Sequence, residues 1–164
     1  MWNQHGVPHK GWTCIGIDDV GDGIDADERP DYFEVCEMCG QEGVRYLHIM
    51  EHPDYNDHLR VGYRCAEKME DDYINPLRRE KDMKNRMNRK KSFMRQEWRL
   101  NRNGNFVLRY KGYNITIMKS RYKNGEFGVI FANDGVWSYN GQPINSLDMA
   151  KALAFEMFDD YSRQ

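Results

Sequence analysis

The chain has 164 residues, 30% of them charged, and no apolar run near the ~20 residues of a bilayer span; it fits one or two small water-facing domains and excludes a membrane-spanning helix. Its first ten residues hold no apolar stretch of the secretory-leader kind. That predicts a cytoplasmic setting, in which four cysteines are expected to bind metal or lie buried rather than form disulfides. The formal charge of −2 conceals an asymmetry: residues 1–75 carry 17 acidic and 6 basic side chains, 76–102 carry 3 and 11, and 103–164 carry 6 and 7. Segment charges of −11, +8 and +1 point to two functional surfaces rather than one uniformly solvated shell.

In chain order, Trp12–Ile17 alternates as a strand does, and the Gly/Asp-rich stretch 18–31 is too polar to pack. A Cys36-Glu-Met-Cys39-Gly40 knuckle follows. Strands are predicted at 44–50 and 59–63 around a polar turn at 53–57, and a helix from about Arg64 through Met69 to Tyr73. Pro76 interrupts that helix or starts the next. Leu77–Leu100 should form one long basic helix, with Met83, Met87, Met94 and Trp98 on a single stripe that reads as core packing. Beyond Asn101–Gly104, three strands alternate around Phe106–Tyr110, Tyr113–Ile117 and Phe127–Phe131, with Lys123-Asn-Gly125 as a hairpin turn. Ser146 then caps a final helix whose apolar face runs through Leu147, Ala150, Leu153, Ala154, Met157 and Phe158. The expected architecture is α+β, divided into a zinc module at 1–75, a basic linking helix at 76–102 and a βββα domain at 103–164.

The cysteines carry the sharpest chemistry. A Cys-x-x-Cys-Gly turn offers two thiolates to one tetrahedral ion, and Cys65 at a helix start gains from the backbone N–H groups and dipole there. Knuckle, hairpin and a helix whose first turn returns a ligand describe a treble-clef-like arrangement holding one structural zinc. Candidate fourth ligands are Cys14, His48 and His52, with His58 behind them. If strand 44–50 runs back against 59–63, Cys65 lies near residue 44, and His48 lies about 13 Å along the hairpin at ~3.3 Å per residue. That favours Cys14.

The pattern Cys36-Glu-Met-Cys39-Gly40, Val44-Arg-Tyr-Leu-His48-Ile-Met-Glu-His52-Pro53 and Val61-Gly-Tyr-Arg-Cys65-Ala-Glu-Lys-Met69 resembles a group of small bacterial and phage-type proteins. Members often carry a cysteine at the position of Tyr63. The resemblance implies zinc binding and a prokaryotic or mobile-element setting, and brings no activity with it.

A degenerate HNH-type nuclease is the catalytic alternative, with Glu51, His52, Asn56, Asp57 and His58 on the hairpin. It lacks the adjacent His pair and the closing ligand of such sites. The glycines at 16, 21 and 23 lie among aspartates and would repel a phosphate, while 18–25 lacks calcium-loop spacing. No small-molecule substrate is indicated.

The basic helix is a natural binder of phosphate backbones in DNA or RNA, through Arg78, Arg79, Lys84, Arg86, Arg89, Lys90, Lys91, Arg95, Arg99 and Arg102. Arg109, Lys111, Lys119, Arg121 and Lys123 add cations to the following strands. That βββα segment is loosely similar in architecture to integrase arm-type and plant ethylene-response-type DNA-binding domains. The competing expectation is a protein-binding adaptor, using the acidic head or the sheet, with the basic helix masked by the head.

Overall fold

A computed structural model describes residues 1–21 and 33–164, so most of the acidic stretch at 18–31 lies outside the described residues. The chain divides between Met87 and Asn88 into two units.

In the first unit, strands β1 (Thr13–Asp19), β2 (Tyr46–His52) and β3 (Tyr55–Val61) form an antiparallel sheet with β2 in the centre. Being central, β2 is buried on both faces, and Leu47, His48 and Met50 are closed off from solvent. The knuckle precedes β2 and is tied to the end of β3, where the Glu37 N–H donates to the Arg60 carbonyl at 3.0 Å. Helix α1 (Tyr63–Glu70) starts two residues after β3 and presents Cys65, Ala66 and Met69 to a core shared with Trp12, Met38, Met50, Leu59 and Val61. Asp71, left-handed at φ 55°, ends it. The Asp72 carboxylate then accepts from the Ile74 and Asn75 N–H groups, and α2 (Asn75–Met94) begins. Pro76 therefore starts this helix, where its missing N–H costs nothing.

The predicted helix over Leu77–Leu100 is six residues too long at its C-terminal end. Arg99–Leu100 is a strand, β4, because the Asn101 side chain accepts from the Asn103 and Asn105 N–H groups and turns the chain back on itself. The pairing of β4 with Phe106 and Val107 overrides local helix propensity.

In the second unit, β5 (Phe106–Tyr110), β6 (Tyr113–Lys119), β7 (Phe127–Phe131) and β8 (Asp134–Val136) follow β4 in one antiparallel five-stranded sheet. The three expected strands are its centre. A two-stranded ribbon, β9 (Ser138–Tyr139) and β10 (Gln142–Pro143), leads to α3 (Leu147–Ser162), which Ser146 caps through its Oγ and the Met149 N–H at 3.1 Å. Helix α3 packs on β6 and β7. Leu108, Ile115, Ile117, Val129 and Phe131 meet Leu153, Ala154, Phe155 and Phe158 there, with Phe93 fully buried among them. The alternate positions Val107, Arg109, Thr116, Met118 and Ile130 form the sheet's opposite face and stay half or fully open to solvent. Mixed α and β with antiparallel sheets is thus the fold class. Among the described residues no helix is long and apolar enough to cross a membrane.

Candidate functional site

The sulfurs of Cys36, Cys39 and Cys65 all lie within 4.8 Å of one another. Local chain geometry brings this about. The Gly40 N–H donates to the Cys36 carbonyl at 2.8 Å and the Cys36 N–H to the Gln41 carbonyl at 2.8 Å, closing a tight turn; Gly40 sits in it at φ 78°, which a side chain would strain. Cys65, in the first turn of α1, comes to the same place because β3 delivers the helix start beside the knuckle. Cys36 and Cys65 are buried and Cys39 is exposed. A cavity of about 260 Å³ adjoins the three, lined also by Tyr63, Arg64 and Glu80. The Cys65 sulfur beside it is the main cause that holds the Cys36 thiol down, to about 5, against the opposing pull of burial. Cys36 in turn, together with burial, pushes the Cys65 thiol up, so the two behave as a pair sharing one proton. Three such thiols together can hold a metal ion, which takes the place of the shared proton.

Cys14, the expected fourth ligand, does not join this cluster. The register explains why: Cys14 pairs with Met50, six residues along β2 from Val44, or about 20 Å at ~3.3 Å per residue. The spacing that disfavoured His48 thus disfavours Cys14 more. The Cys14 thiol donates to the Gly16 carbonyl at 3.1 Å and lies beside His48. His48 is fully buried, and its Nε2 is 3.1 Å from Glu80 Oε1. Its Nδ1 has no partner at hydrogen-bonding geometry among the described residues, so Cys14 makes a close polar contact with the ring rather than a formed bond. Burial works against the charged imidazole, but Cys14 and Glu80 outweigh it and raise the pKa of His48 above its usual value. Burial likewise pushes the Cys14 thiol up, and His48, the Gly16 backbone and Arg79 together bring it below its usual value.

His52 lies elsewhere: its Nε2 is 3.0 Å from the Lys10 carbonyl, and its Nδ1 accepts from the Asp54 N–H. His58 and Glu51 approach only to 4.0 Å on the exposed hairpin. The Glu51, His52, Asn56, Asp57 and His58 set forms no metal-ligand cluster among the described residues.

The basic residues fall into distinct environments. Arg79 pairs with Glu70, and Arg89 makes a two-pronged pair with Asp159 at 2.8 and 3.1 Å. Arg86 and Lys90 are half-buried, while Arg78, Lys84, Lys91 and Arg102 are exposed. Arg95 and Arg99 converge with Arg109 on a cleft of about 640 Å³, which holds one acid, Glu97. A second cavity, of about 650 Å³, lies where Trp137, Tyr122 and Met118 meet Lys119, Arg121 and Lys123. Sequence reasoning passed over Trp137 and Tyr122. Gly128, a glycine inside an apolar strand, was the signal for the former, because such a glycine marks a close approach.

Compared with protein-family models, with curated proteins and with solved structures, the chain matches none of them.

Proposed function

We infer that the chain is a non-enzymatic, zinc-stapled nucleic-acid-binding protein of the small bacterial and phage-type group that its N-terminal half resembles. The knuckle, the β2–β3 hairpin and the first turn of α1 make a treble-clef-like module. Its three sulfurs, all within 4.8 Å of one another, are spaced on the scale of the ~3.8 Å edge of a tetrahedral shell with Zn–S bonds of ~2.3 Å. In this role the metal supplies cohesion to a small acidic unit and no chemistry on a substrate.

The observation that carries the nucleic-acid reading is the meeting of Arg95, Arg99 and Arg109 on one cleft. Three guanidiniums from a helix end and two adjacent strands, against a single carboxylate, favour a polyanion. Arginine's planar fork also matches phosphate oxygens in pairs. The test is binding to DNA as a function of salt. For duplex, log K should fall against log salt by about 0.9 per phosphate neutralised, and replacing all three arginines by alanine should flatten that slope by about 3. Absence of binding by the intact protein to any nucleic acid at low salt would sink the reading.

A further inference from the structure

The second cavity has a construction that a cationic patch alone does not need. Trp137 follows β8 on the face of the sheet turned away from α3. A Cβ placed on Gly128 of β7 would come within 2.6–2.7 Å of three atoms of its indole, Cδ2, Cε3 and Cε2. The ring therefore lies against the backbone of β7, and only a glycine there permits it. One surface of the indole is seated on the strand, yet Trp137 remains 47% exposed, so its free surface looks outward into the cavity.

Across the cavity stands Tyr122, 96% exposed, in the β6–β7 loop. That loop is held in shape by the Ser120 side chain, which accepts from the Tyr122 and Lys123 N–H groups, and by the Ser120 N–H donating to the Glu126 carbonyl at 2.8 Å. Lys119, Arg121 and Lys123 are all exposed at its rim, and none forms an ion pair among the described residues. Glu126 is the one acid lining the cavity. A volume of about 650 Å³ is within the roughly 300–1,000 Å³ of ligand-sized cavities. Flat aromatic surface ringed by cations is what an unpaired base and its flanking phosphates require.

The arginine cleft shares this face. Arg99 pairs with Val107, Val107 with Thr116, Thr116 with Ile130 and Ile130 with Gly135, which makes one row across all five strands. Five strands span about 19 Å at ~4.8 Å per spacing, a distance that a short oligonucleotide crosses. We propose that this face binds single-stranded nucleic acid, with Trp137 as the platform on which one unpaired base stacks and Lys119, Arg121 and Lys123 holding the neighbouring phosphates. The inference rests on the nucleic-acid reading above and gives it a substrate class: an extruded or single-stranded base rather than intact duplex. Every base has a π-face, so stacking at Trp137 tolerates sequence variation, and DNA and RNA share the features used.

The test is a titration of the full-length protein with an oligothymidylate of about twelve nucleotides, inside the roughly 4–16 that OB-fold single-strand binders cover. A duplex of equal length is the parallel probe. Single strand should bind more tightly than duplex and quench tryptophan fluorescence. Trp137→Ala should weaken single-strand binding roughly 5- to 150-fold, the range for losing one stacked base, while leaving the salt slope unchanged. Trp137→Phe should retain most of the affinity. Lys119→Ala and Lys123→Ala should each flatten the single-strand slope by about 0.7. Gly128→Val, which displaces the ring without removing it, should mimic Trp137→Ala, with circular dichroism confirming the fold. If Trp137→Ala and Gly128→Val remain folded and bind the single strand as the wild type does, the stacking platform is wrong even though polyanion binding at the arginines stands. Preference for duplex, or tight binding of an uncharged apolar peptide in place of the strand, would overturn it equally. No binding of either nucleic acid at low salt removes both proposals together.

Discussion

Arg89 offers a test of how the basic helix is used. Its Nε and Nη2 reach the two carboxylate oxygens of Asp159 at 2.8 and 3.1 Å, and the Asp159 side chain is only 2% exposed. Truncating Arg89 to alanine removes the two-pronged guanidinium from that buried carboxylate, and Arg163, at 4.0 Å and half exposed, does not replace its geometry. Removing one partner of a buried pair costs about 3–5 kcal/mol; because the Arg89 side chain is a third open to water, the figure comes down to about 2–3 kcal/mol. For a unit the size of 88–164, each kcal/mol shifts the melting midpoint by about 4–8 °C, so Arg89→Ala should melt roughly 8–24 °C lower. Near-UV circular dichroism follows this unit through Trp98 and Trp137, and Asp159→Asn, which removes the buried charge but keeps the shape, should cost less. The salt slope for nucleic acid should not change, since this guanidinium is engaged inside the protein. A loss below about 0.5 kcal/mol, the size of an ordinary surface substitution, would refute the buried-pair argument. A slope flattened by about 1 would show that Arg89 serves phosphates after all.

Two further outcomes test the N-terminal unit. Cys36→Ser and Cys65→Ser should each lose bound zinc and lower the unfolding midpoint together, with metal measured by atomic emission on protein purified without chelator; well under one zinc per chain in the wild type would refute the metal assignment. The His48–Glu80 contact should make stability pH-dependent in a definite sense. A histidine whose folded pKa is raised contributes stability that is fully present below its unfolded value of about 6.5 and is lost as pH rises through the folded pKa. Glu80→Gln should therefore cost more in urea unfolding at about pH 5.5 than at a pH above the raised folded pKa, where the ring has lost its proton. Cys14, whose thiol is held low by the same ring, and Arg79, which opposes the ring's charge, stay in place in both proteins. A pH-independent difference would refute a charged His48.

Local signals carried much of this structure, and the failures share one cause. The knuckle was readable because Cys-x-x-Cys-Gly dictates its own turn, and Ser146 because a capping side chain acts three residues ahead. Cys65 followed from the hairpin joining it to the knuckle. What local pattern cannot supply is register between distant strands. The pairing of Cys14 with Met50 is set 36 residues away, and it carried the cysteine away from the three-cysteine cluster and into contact with His48. The end of α2 failed in the same way, because Arg99 and Leu100 are good helix residues recruited by β5. For the basic helix, sequence counts charges but does not show which carboxylates lie opposite them. Arg79 and Arg89 are therefore indistinguishable on paper from Arg95 and Arg99, which open onto a cleft.

The seating of Trp137 on Gly128 links two positions that are separated in the chain and individually unremarkable. While the indole is present, position 128 is closed to every residue with a side chain, including the β-branched ones that a buried central strand would otherwise favour. Once the indole is gone, that prohibition lifts. The two sites thus behave as a single heritable unit with an order of events: loss at 137 can precede change at 128, whereas change at 128 ejects the ring. A side chain found at 128 in any descendant of this chain would mark that the indole no longer lies against the strand.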